Sequence, residues 1–258
     1  MNMKIRMNEQ IVPMDDNTIQ AQYHTLFIED TPISFEPVTN EEGEPIEDIY
    51  QKVGGHSVYK LFVGDFAEER NGTQRIVNKL QQLSTQGGTL ELHISSYGGN
   101  VDELLEYYHT INSYFGENVI TYLSMGYSAG AIAFLFGTER VIYEHSDWMI
   151  HSYSGGAVGK RDDMLKQLAH MDARIQKFFG HMLEPYFTKK ELKRISRGDD
   201  FWLNSEEMLE RGIATHIISN GVAYTAEEYL EEKYPERKEK RIKKEKKIMK
   251  KLEKMQED

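Results

Sequence analysis

The chain contains no cysteine. That absence excludes a disulfide framework, a thiolate zinc site and a cysteine nucleophile together. Long apolar runs are missing too. The opening residues, MNMKIRMNEQIVPMDDNTIQ, hold no apolar core of signal-peptide length. The most apolar stretch, Ala129 to Gly137, is about half of the ~20 residues that span a bilayer. A cytoplasmic location and no membrane partner are the expectation. Positive charge is in deficit: 31 Lys and Arg stand against 42 Asp and Glu, a formal net charge of -11. Nucleic-acid binders carry a basic patch or stripe, so no specific nucleic-acid partner is expected. Internal repeats are absent as well.

What is present is an ordinary globular composition, 39% hydrophobic and 11% aromatic over 258 residues, enough for one sizeable core. Residues 1–50 are polar and acidic without sustained periodicity, and read as an irregular or edge-forming N-terminal extension in which His24 to Glu29 alternates like a strand. Residues 51–220 read as the folded domain. SVYKLFVG alternates as a strand and ends on Gly64; a helix follows over Gly72–Leu83, with Ile76, Val77, Leu80 and Leu83 on one face. TLELHIS and VITYLSM are the next strands, separated by a helix over Val101–Phe115. Ser128–Phe136 forms a short apolar helix, RVIYE and WMIH two further short strands, and Lys160–Leu183 a long amphipathic helix. A helical piece, Lys189–Ser196, follows. Asn204 or Ser205 then caps a short helix that Gly212 ends before a last strand. Alternating strands and helices predict an α/β layer architecture. Residues 221–258 form a charged tail, strongly basic from Arg237, expected as an exposed helix.

Four segments carry chemistry. In GYSAGAIAFLFG a lone serine, Ser128, stands among small residues between a strand and a helix start. A hydroxyl needs an adjacent base to become a nucleophile, and a helix start offers unpaired N–H groups suited to an oxyanion. SSYGGNV places Gly98 and Gly99 between a strand and a helix, where backbone amides can face an anion. DWMIHSYSGG sets His151 at the end of an apolar strand, and RGDDFWLNSEE sets Asp200 before a capped helix. Each has a plain structural explanation alone: tight packing, a turn, a packed histidine, a helix-terminal charge. The stretch GGAVGKR lacks the first glycine and the final Ser/Thr of a phosphate loop, so no nucleotide site is read there.

Taken in order and spacing, these segments resemble the Clp proteolytic-subunit family of serine peptidases over about Val58 to Ile218. Met149-Ile150-His151 ahead of Gly155-Gly156, Ser128 at its helix start, and Asp200 ahead of FWLNSEE carry the likeness. Departures stand at Tyr97, where the family loop has proline, and at Tyr127 and Ala129, where alanine and methionine are usual. At Gly198-Asp199 the family has an Asp-Arg pair involved in ring-to-ring contacts. The resemblance implies a stacked β-α-β superhelix of the kind shared with crotonases, with a protruding handle helix from Lys160. It implies a triad of Ser128 as nucleophile, His151 as base and Asp200 as orienting carboxylate, with an oxyanion hole from Gly98, Gly99 and Ala129. No cofactor or metal is needed. It further implies a homo-oligomeric ring enclosing unfolded polypeptide substrates, fed by an AAA+ unfoldase that holds the ATP. The alternatives are a phage-type protease acting on scaffold or shell proteins, an inactive structural subunit, a crotonase-type acyl-CoA enzyme, and a scaffold-binding role for the basic tail.

Overall fold

A computed structural model describes residues 18–30, 34–39, 45–53, 57–67, 70–85 and 87–237; of 34–39 and 45–53 only the backbone is described. Its centre is a four-strand parallel run: β5 (Ser57–Val63), β6 (Thr89–Ser96), β7 (Val119–Tyr127) and β8 (Glu139–Ile150). The crossovers between them are α1 (Arg70–Ser84), α2 (Val101–Tyr114) and α3 (Ala129–Phe134). This is the mixed α/β architecture that the alternation predicts.

Register explains which face is buried. Val63, Ile94, Leu123 and Ile142 are successive neighbours across the four strands, and all are buried. Ile76 and Leu80 of α1 and Leu104 and Ile111 of α2 join the same core. One residue earlier, Phe62, His93 and Tyr122 form the next row, and side chains alternate faces along a strand. These three rings stack on the opposite side at centroid spacings of 4.8 and 4.7 Å.

Several expectations need correction. The two short strands RVIYE and WMIH are one twelve-residue strand, β8. Its first half pairs in parallel with β10 (His216–Ser219), and its second half pairs antiparallel with β9 (Phe201–Asn204). Ser146 keeps the strand continuous, because its hydroxyl bonds the Leu123 carbonyl where the β7 register shifts. A strand at β9 was not expected at all. Near the N-terminus the strand read over His24 to Glu29 is present as β2 (His24–Asp30); with β1 (Thr18–Gln20) it belongs to the main sheet, pairing with β5 from His24–Val63 to Asp30–Ser57. The same segment also contains a separate hairpin, β3 (Ser34–Thr39) with β4 (Pro45–Val53).

The segment read as a tail begins inside the sheet. β11 (Val222–Thr225) pairs with β10, and α7 (Ala226–Lys233) buries Leu230. The basic stretch beyond residue 237 lies outside the described residues, as do residues 1–17. The long helix α4 spans Arg161–Leu183, with Ile175, Phe179 and Leu183 buried. The helices α5 (Lys189–Ile195) and α6 (Ser205–Arg211) flank β9. Asn204 caps α6 through a reciprocal pair with Glu207, and Gly212 ends it in the left-handed conformation.

Candidate active site

Strand register brings the four motifs to one place. β7 and β8 pair Tyr127 with Met149, and the Ser128 N–H donates to the Met149 carbonyl at 2.8 Å. β8 and β9 pair Ile150 with Phe201, so the next antiparallel step sets His151 opposite Asp200. Three neighbouring strand ends therefore present serine, histidine and aspartate side by side.

Ser128 sits at the turn from β7 into α3 with φ 54° and ψ -117°. A non-glycine residue pays for that conformation, and such strain clusters at functional sites. Its surroundings over-determine it: the amide bond to Met149 fixes one side, and the Ser128 carbonyl accepts from Ile132 N–H at 3.2 Å. The hydroxyl makes no capping bond to α3. Helix α3 is buried along its whole length and anchored by Trp148, whose indole N–H donates to the Ala131 carbonyl at 3.0 Å.

The glycine loop closes over this turn. A Cβ on Gly98 would stand 2.8 Å from both the Ser128 Cβ and the Tyr127 carbonyl oxygen, and one on Gly99 would stand 2.2 Å from the Phe66 carbonyl oxygen. Both have positive φ, +106° and +134°. Glycine is therefore required at each by contact and by conformation. Phe66 N–H donates to the Gly98 carbonyl at 2.7 Å, and Asn100 N–H to the Phe66 carbonyl at 2.6 Å. Asp65 holds the third side by accepting from the Tyr97 N–H at 2.6 Å.

The three expected oxyanion donors differ. The Gly98 N–H already donates to the Ser96 hydroxyl at 3.0 Å, so Gly98 shapes the loop and has its amide occupied. The amides of Gly99 and Ala129 have no acceptor among the described residues. Ala129 opens α3, where the first-turn amides lack intrahelical partners.

His151 and Asp200 approach to 4.0 Å between Nδ1 and Oδ1, with side chains 35% and 53% exposed. That distance is an ion-pair contact, longer than a hydrogen bond. No hydrogen bond joins Ser128 to His151 among the described residues. The adjacent Asp199 turns away and pairs with Arg194 at 2.6 Å. A cavity of about 470 Å³ is lined by Ser152 and Tyr153, which follow His151 in the chain, and by Ile175, Phe179 and Leu183 of α4; Ser128, His151 and Asp200 do not line it. Burial and its bond to Asp172 push the Tyr153 hydroxyl above the usual tyrosine range. Sequence reasoning missed Ser96 and Asp65, which hold the loop. Their only signal was position, a small polar residue before the glycine pair and an acid after a strand-ending glycine.

The family model described as Clp protease matches residues 42–221. The chain belongs to the Clp protease family. Among curated relatives, the "ATP-dependent Clp protease proteolytic subunit 2" of Chlamydia trachomatis serovar D is 30% identical over 135 residues. That of Chlamydia muridarum is 30% identical, and the "ATP-dependent Clp protease proteolytic subunit 1" of Chlamydia felis is 29% identical. Each match covers 51% of this chain and 66% of the relative. Both the glycine loop and the three strand ends fall inside the matched span. Strands β1 and β2 fall outside it. Among the described residues no helix is long and apolar enough to cross a membrane.

Proposed function

We propose that the protein is a serine endopeptidase that cleaves polypeptides by acyl transfer. The observation that carries this reading is the shared register of β7, β8 and β9. It sets Ser128, His151 and Asp200 on adjacent strand ends, with a glycine loop packed against the serine. In the reaction, His151 takes the Ser128 proton as the hydroxyl oxygen attacks the peptide carbonyl. Asp200 holds the imidazole tautomer and stabilises the imidazolium. The amides of Gly99 and Ala129 bind the oxyanion, each worth ~3 kcal/mol at comparable sites. The imidazolium then protonates the leaving amine, and water, deprotonated by His151, releases the acyl group and regenerates the serine. The 4.0 Å gap between His151 and Asp200 closes when substrate excludes water, as catalytic contacts commonly tighten in the bound state.

The cavity that starts at Ser152, lined in part by Ile175, Phe179 and Leu183, receives an apolar side chain of the substrate. By family membership, the functional unit is a homo-oligomeric ring with unfolded polypeptides as substrates and an AAA+ ATPase as the supplier. Fluorophosphonate labelling read by peptide mass, with native mass measurement of the assembly, tests the proposal. Label on Ser128, and peptide cleavage that falls by at least ~10³-fold in Ser128→Ala, is the expected result. Undiminished cleavage by that variant overturns it, and label on another serine moves the nucleophile.

A further inference from the structure

The mechanism leaves one buried ionisable pair unused. His24 on β2 is 1% exposed and Glu103 in the first turn of α2 is 7% exposed. Their Nε2 and Oε1 atoms meet at 2.9 Å across 79 positions of sequence. The contact joins an imidazole nitrogen to a carboxylate oxygen at hydrogen-bond distance. Such a pair is poor evidence for stability, since apolar residues of similar volume often do as well. What it specifies is registry between β2 and α2.

That registry leads to the glycine loop along two routes. In the first, the His24 ring packs against Phe66 at a centroid distance of 5.7 Å. Phe66 commits both of its backbone polar groups to the loop, one to Gly98 and one to Asn100. In the second, Asn100 caps α2, its Oδ1 accepting from the amides of Asp102 at 2.8 Å and Glu103 at 3.4 Å. The Glu103 carboxylate thus grips His24 while its own amide grips the residue after Gly99. A third contact fixes β2 to the same corner: Gly64 N–H donates to the Tyr23 carbonyl at 3.0 Å, and a Cβ on Gly64 would meet that oxygen at 2.6 Å.

We infer that His24 and Glu103 are positioning residues for the Gly99 amide. They hold the glycine loop at its distance from Ser128 without touching substrate. The inference rests on the reading of Ser128 and Gly99 as nucleophile and oxyanion donor. It makes β2, which lies outside the family-matched span, part of the catalytic apparatus. Donor placement matters on the scale of ~0.5 Å, which a lost anchor behind the loop readily exceeds.

The test compares Glu103→Leu, Glu103→Gln and the double variant His24→Leu/Glu103→Leu in the full chain. Glu103→Leu and the double variant should lose about tenfold in kcat with KM within twofold, part of the ~10²–10³ that one oxyanion donor supplies. Affinity for a peptide boronate, whose tetrahedral adduct needs the same donor, should fall in parallel. Glu103→Gln keeps an acceptor for His24 and should stay within about threefold of the parent. The double variant keeps the test open should the single one fail to fold, because it leaves no buried charge unpaired. A lower melting midpoint with unchanged kcat and boronate affinity, in protein that still labels on Ser128, overturns the positioning role alone. Parent protein that neither labels on Ser128 nor cleaves peptide removes the underlying reading, and the inference with it.

Discussion

The two sides of the candidate site are built by different means. On the oxyanion side the groups presented are backbone amides: Phe66 holds Gly98 and Gly99 through its own backbone, the Asp65 carboxylate holds the Tyr97 amide, and the Met149 carbonyl holds that of Ser128. On the acid–base side two half-exposed side chains stand 4.0 Å apart at the end of a four-residue edge strand. The first side is set by the sheet itself, so it is complete before substrate arrives. The second depends on rotamers and on how β9 is held, and the proposed mechanism requires it to close when substrate covers it. An amide cannot swing away from its chain, whereas an exposed carboxylate can.

Removing the orienting charge should therefore cost most in activity and least in structure. Asp200→Asn is expected to lower kcat by roughly 10³–10⁴-fold, as an orienting aspartate does in aligned triads. Its melting midpoint should stay within ~2 °C, because surface changes of this kind move stability by no more than about 0.5 kcal/mol. A loss below tenfold would show that the 4.0 Å gap never closes. The glycine side should behave in the opposite way. In Gly99→Ala the new methyl meets the Phe66 carbonyl oxygen and φ is +134°. A drop of about 10²–10³-fold in kcat is expected, together with roughly 1–3 kcal/mol of stability, measurable by urea unfolding. Unchanged stability in that variant would contradict the contact.

Most of the sheet was legible in sequence because its signals are local. Alternation marked β5 and apolar spacing marked α1 and α4, while β6, α2 and β7 were read as elements from the segments between them. The strands that escaped notice are those whose signal is tertiary. β9, read from FWLN, is too short to show a period and exists because β8 overruns β10 and offers it a free edge. The alternation of β2 was visible over His24 to Glu29, but its place in the main sheet was not: His24 is buried against Glu103, 79 positions along the chain. Within the candidate site, motif order named the residues that strand register brings together, while the difference between Gly98 and Gly99 was not legible. That difference depends on the Ser96 hydroxyl reaching the Gly98 amide, a matter of rotamer that no spacing rule conveys.

The smallest expected effect concerns what braces the acid–base side. Glu191 in α5 meets Arg211 of α6 at 2.8 Å, linking the two helices that flank β9. Arg211 also lies over the Phe187 ring at 5.0 Å. The Arg211 guanidinium, with help from the Thr188 amide, lowers the Glu191 carboxyl to about 2. A depressed carboxyl contributes stability above its unfolded value, near the ordinary glutamate range, and loses that contribution as pH falls toward 2. Glu191→Gln should thus be less stable than the parent at pH 6, by no more than ~1 kcal/mol for a pair this close to solvent. The difference should shrink steadily between about pH 4.5 and 2, as both proteins come to hold a neutral side chain there. Urea midpoints across that range measure it. A difference that does not change with pH would assign the brace to the Thr188 cap and to packing, and would leave the ion pair no part in holding β9.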